Sequence, residues 1–84
     1  MTEGKARVAM GFGVMTLTRY LMQREGTSLD VAFRKLCTTK LYEILCNPES
    51  GLFLEPDDYL INALIAELEG GVDALKDAIA PDIY

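Results

Sequence analysis

Helix punctuation recurs at short intervals along this chain, and it limits the fold before composition is considered. Gly26 stops one segment, Thr27-Ser28 and Thr38-Thr39 offer hydroxyl caps, Asn47-Pro48-Glu49-Ser50-Gly51 makes a turn, and Gly70-Gly71 and Pro81 stop two more. Hydroxyl and amide oxygens accept hydrogen bonds from the amides that a helix start leaves unsatisfied, while Gly and Pro end what precedes them. Between these marks the apolar residues keep helical spacing: Leu29, Ala32, Phe33 and Leu36 stand at i, i+3, i+4 and i+7. No run alternates β-branched and polar residues around a hairpin turn. The expected fold class is therefore all-α, a compact four- to five-helix bundle of short orthogonal or antiparallel helices, with residues 1–84 forming a single helical domain.

The first helix is expected to start at Lys5 or Met10 and to end at Arg24. Gly11 and Gly13 each lower helix propensity by up to about 1 kcal/mol relative to alanine, so either residues 1–9 fray or the backbone is closely approached at that end. Val8, Phe12, Met15, Leu17 and Leu21 surround this helix almost completely, and a helix so broadly apolar must be central or shared with another subunit. The second helix carries the Leu29 to Leu36 stripe, with Arg34 and Lys35 toward water. A third, over residues 40–46, buries Leu41, Ile44 and Leu45. Glu55-Pro56-Asp57-Asp58 opens a fourth, with proline in the first turn and acids at the positive end of the helix dipole. Leu60, Ile61, Leu64, Ile65 and Leu68 form its apolar face. A last short helix spans 72–80, before a tail at 81–84. The second, third and fourth helices are expected to wrap the first.

The net charge of −5 hides two opposed halves. Residues 1–42 carry seven bases against three acids, and residues 43–84 carry one base, Lys76, against ten acids. Either the halves complement one another within the fold or across a dimer, or the acidic half presents a negative surface to a basic partner.

The chain contains no histidine. Serine or cysteine nucleophiles usually need that base, so no catalytic residue is expected and the chain is read as a non-enzyme. Glu55, Asp57, Asp58, Glu67 and Glu69 are read as dipole partners rather than acid/base pairs. Cys37 and Cys46, nine positions apart, cannot alone complete a structural zinc site and are read as two buried, reduced thiols, with a disulfide as the lesser alternative. Gly11-Phe12-Gly13 lacks the lysine and preceding strand of a phosphate loop. No cofactor and no metal are expected. Residues 8–22 resemble a signal-peptide core behind Lys5 and Arg7, but Arg19 breaks the run, which is also shorter than the ~20 apolar residues that span a bilayer. A cytoplasmic protein without a membrane role is expected.

Protein association is the class left standing. Phe53, Asp57, Asp58, Tyr59 and Glu67 are the candidate partner surface, facing a basic protein or a second copy of the chain as a homodimer, although core closure is the first reading of Leu52-Phe53-Leu54 and core packing that of Tyr59, with partner contact as the alternative. The alternative is a helix-turn-helix-like DNA-binding regulator, its turn at Cys37-Thr38-Thr39 and its basic patch formed by Arg34, Lys35 and Lys40. One lysine in an otherwise apolar or acidic recognition helix makes nucleic acid the weaker partner.

Tyr20-Leu21, Ser28 with Ala32 and Phe33, Thr39, Tyr42, Leu45, the turn from Asn47 through Gly51 into Leu52-Phe53, and Tyr59-Leu60 with Leu64, Glu67 and Leu68 carry a likeness. In these positions the chain resembles a family of short, uncharacterised bacterial helical proteins, some encoded beside toxin-like proteins. The resemblance implies a small accessory component of a toxin–antitoxin-like pair, and brings no catalytic residues with it. The chain departs from the pattern over residues 1–12 and in its final helix.

Overall fold

The computed structural model describes the backbone of residues 3–79 and the side chains from Arg7 onward. Four helices form it: α1 (Glu3–Glu25), α2 (Leu29–Cys37), α3 (Lys40–Leu45) and α4 (Asp57–Ala78), with short 3-10 turns at Pro48–Ser50 and Leu52–Leu54 between the last two. No strand occurs among the described residues. The all-α bundle is thus the fold, and its long dimension of 37 Å is about the length of α1, whose 23 residues rise about 1.5 Å each.

α1 is helical from Glu3, ahead of the expected Lys5 or Met10 start. Its two glycines face different surroundings. A Cβ at Gly13 would stand 3.3 Å from methyls of Leu45 and Leu60, so the missing side chain lets α3 and α4 close on α1. A Cβ at Gly11 would meet nothing within 4 Å. Gly26, at φ +64°, ends the helix, and the Thr27 amide returns to the Met22 carbonyl at 3.3 Å.

Ser28 caps α2, its hydroxyl accepting from the Val31 amide at 3.4 Å. Thr39 caps α3 by accepting from the Tyr42 amide at 3.1 Å. In the turn that follows, the Ser50 hydroxyl donates to the Ile44 carbonyl at 2.7 Å and accepts from the Leu52 amide at 3.2 Å, which fixes Leu52 and Phe53 inward. Pro56 stands at the N-cap of α4 rather than within its first turn, with Asp57 and Asp58 following it.

The fourth helix and the expected fifth are merged in α4, broken at Gly71, whose φ of 80° and ψ of −171° are not helical. Leu75 and Ile79 beyond the break are buried, so the last turns fold back onto the bundle. The expected end of this segment at Ala80, Pro81 and the tail at 82–84 lie outside the described residues, as do Met1 and Thr2.

The core is built mostly of leucine. Leu17 and Leu21 of α1 meet Leu36, Leu41, Leu45, Leu52, Leu60, Leu64 and Leu75, all fully buried. α2, α3 and α4 all pack against α1, but they cover only part of it. One expectation is corrected here. Of the α2 stripe only Ala32 and Leu36 are buried, whereas Leu29 and Phe33 are 56% and 40% exposed. On α1, Val8, Phe12 and Met15 are likewise exposed, Phe12 at 66%. At about 100° per residue these three point away from Leu17 and Leu21.

Candidate interaction surface

Val8, Phe12 and Met15 follow one another at i, i+4 and i+7, so they form a single outward stripe along α1. Beside them Leu29 and Phe33 of α2, with Val14, Met15, Thr18 and Asp30, enclose a groove of about 320 Å³. The Phe33 ring rests edge-on against Tyr42, with centroids 6.2 Å apart and planes at 86°, which holds it as one wall of the groove. Scaled by their exposure, the five side chains Val8, Phe12, Met15, Leu29 and Phe33 present about 400–500 Å² of apolar surface, a size at which the largest patch on a monomer is often functional.

Sequence reasoning placed Leu29 and Phe33 on the inward stripe of α2 and read α1 as central or shared with another subunit, because apolar spacing does not show which faces find neighbours. The available signal was the near-complete apolar circumference of α1, which the small remainder of the chain cannot cover.

The residues expected to face a partner are dispersed. Phe53 is 7% exposed and belongs to the core, while its neighbour Leu54 is 68% exposed. Asp57 and Asp58 are exposed at the start of α4, and Tyr59 is half-buried against the core. The Glu67 carboxylate reaches across to α3, accepting from the Lys40 amide at 2.7 Å and the Leu41 amide at 2.8 Å. With Thr39 on the Tyr42 amide, the first three amides of α3 are satisfied by side chains, and Glu67 places its negative charge at the positive end of that helix.

The basic patch is neutralised locally. Arg34 pairs with Asp30 at 3.2 Å, Lys40 pairs with Glu43 at 3.2 Å, and Lys35 with Glu25. The hydrogen bond from Lys35 holds the Glu25 carboxyl below its ordinary range, with the Lys35 and Arg24 charges adding to it against a smaller desolvation effect. The two electrical halves touch where Arg24 meets Glu69 at 3.4 Å. The hydrogen bond between Arg24 and the Tyr20 hydroxyl at 3.1 Å, followed by the Glu69 contact, raises the Arg24 guanidinium further above its ordinary value.

Cys37 and Cys46 are both free, as expected, but exposed rather than buried, because each lies at the outward end of its helix. Their thiols flank the Tyr42 hydroxyl. Burial first, and then contact with Cys46 and Cys37, push that phenol up to about 12. Cys37, Lys40, Tyr42 and Glu67 line a more open cleft of about 470 Å³, but Glu67 is occupied by amides and Lys40 by Glu43. No cluster of three or more metal-ligating side chains occurs among the described residues, and none of the described helices is long and apolar enough to cross a membrane.

Compared with family models, with curated proteins and with solved structures, the chain matches none.

Proposed function

We propose that this chain is a non-enzymatic protein-interaction module that works in the cytoplasm as an accessory or regulatory component. One observation carries the reading: Met15, Leu29 and Phe33 stand outside the core and line a groove between α1 and α2, with Phe12 exposed on α1 one turn before Met15. Aromatic and methionine side chains around a concavity are the composition of protein-binding surfaces. A partner of toxin-like character, as the resemblance implies, belongs to this proposal, and so does association of the chain with itself.

The DNA-regulator reading draws less support. Each cation of its patch already has an acidic neighbour, and the α3 amides that would approach phosphate are held by Glu67 and Thr39.

Co-purification from the native host tests the proposal. Phe12→Asp is expected to abolish co-elution of a partner, or self-association, while the circular dichroism spectrum stays unchanged. Retention of the partner by Phe12→Asp, with loss on changing Asp57 and Asp58 to asparagine, would move the site to α4. Salt-sensitive DNA binding that depends on Arg34, Lys35 and Lys40 would replace this reading with the regulator.

A further inference from the structure

We infer that Cys37 and Cys46, with the Tyr42 hydroxyl that both thiols reach, form a binding site for a soft monovalent cation, copper(I), held by the two sulphurs. The site lies at the α2–α3 corner rather than in the α1–α2 groove, and does not depend on the interaction reading. Cys37 closes α2, and Cys46 follows α3 as its C-cap, four residues after Tyr42 and so on the same face of that helix. Both thiols are free and exposed, and both come within hydrogen-bonding reach of the Tyr42 hydroxyl. Two sulphurs that share one oxygen lie less than about 8 Å apart. A single rotamer step about χ1 moves a cysteine sulphur by about 3 Å, and an exposed side chain is free to make it. Phe33 holds the Tyr42 ring edge-on, which keeps the hydroxyl beside the thiols.

The adjoining cleft selects the chemistry of the ligand. Of the polar groups that line it with Cys37 and Tyr42, Glu67 accepts from two amides and Lys40 pairs with Glu43 at 3.2 Å. The Thr38 and Thr39 hydroxyls donate to the Lys35 and Leu36 carbonyls, each at 2.6 Å. That leaves Cys37, with Cys46 beside the same phenol, as the donors not already engaged. A hard divalent cation needs several oxygen ligands and structural zinc needs four donors, whereas no third metal-ligating side chain joins the two thiols among the described residues. Copper(I) is soft, favours thiolate, and is satisfied by two sulphurs in a line. Binding exchanges protons for the ion: two S–H groups and one copper(I) give S–Cu–S and two released protons, with no change of oxidation state. The Tyr42 O–H can then donate to a bound thiolate and hold its orientation.

Anaerobic titration of the reduced chain with copper(I), in competition with a copper(I) chelator, tests this inference. One ion per chain is expected, with an ultraviolet thiolate-to-copper absorption band. Cys37→Ser and Cys46→Ser should each weaken binding at least about 100-fold and Tyr42→Phe about 10-fold, while circular dichroism shows the helices retained in all three. Zinc at the same concentration should not displace the copper(I). Absence of the band in the native chain, or native affinity in any of the three variants, would overturn the inference. So would zinc bound as tightly as copper(I), or sedimentation velocity showing one ion shared between two chains. Each of these outcomes leaves the groove untouched, so the interaction-module reading stands or falls on Phe12→Asp alone.

Discussion

At Glu67 a side chain that reads in sequence as a surface acid holds two backbone amides of a helix 26 and 27 residues away. Both amides belong to the first turn of α3, which at six residues is too short to persist without help at its ends. Glu67→Ala is expected to lower stability by about 2–3 kcal/mol, since it removes two charge-assisted hydrogen bonds and leaves partly buried amides without acceptors. Equilibrium urea unfolding measures this, with Glu69→Ala, an exposed ion-pair partner, changing stability by less than about 1 kcal/mol. Tyr42 makes a second residue-scale prediction. Its folded-state pKa of about 12 lies above the ordinary 10, so the unfolded chain loses the phenolic proton first as pH rises. Its contribution to stability is present below pH 10 and declines between 10 and 12, and Tyr42→Phe should flatten that part of the pH–stability curve relative to the native chain.

Among the elements, glycine positions separate what each helix is for. Gly71 sits at φ 80°, ψ −171°, a region essentially reserved for glycine, and a Cβ at Gly70 would stand 2.5 Å from the Ala74 Cβ. Gly71→Ala should therefore cost about 1–3 kcal/mol in a thermal or urea melt. On α1 the two glycines should differ. Gly11→Ala is expected to raise stability by about 0.5–1 kcal/mol through helix propensity alone, and Gly13→Ala to gain less because Leu45 and Leu60 must shift. The caps at Ser28 and Thr39, the turn at 47–51 and the break at the glycine pair were all legible in the sequence, because each rests on local backbone chemistry. The fate of Phe33 and the thiols was not, since local spacing does not reveal which helix faces meet. Glu67 was legible as an acid on α4 but not as a cap, a pairing that exists only once α3 and α4 are packed.

For the molecule as a whole, the size of the chain decides how much apolar surface can be hidden. With 84 residues, three helices and a pair of short turns can cover one side of α1, and the other side keeps Val8, Phe12 and Met15 exposed. The core is complete without them: Leu17 and Leu21 sit among leucines from every other helix. Leu17→Ala is expected to cost about 2–5 kcal/mol. The central claim is that the outward stripe is spare for folding and kept for a partner. Urea unfolding of the double variant Phe12→Gln, Met15→Gln beside the native chain tests it most directly. The account predicts midpoints that agree to within about 0.5 kcal/mol. A loss above about 2 kcal/mol would mean that these side chains are part of the core after all, and would contradict it.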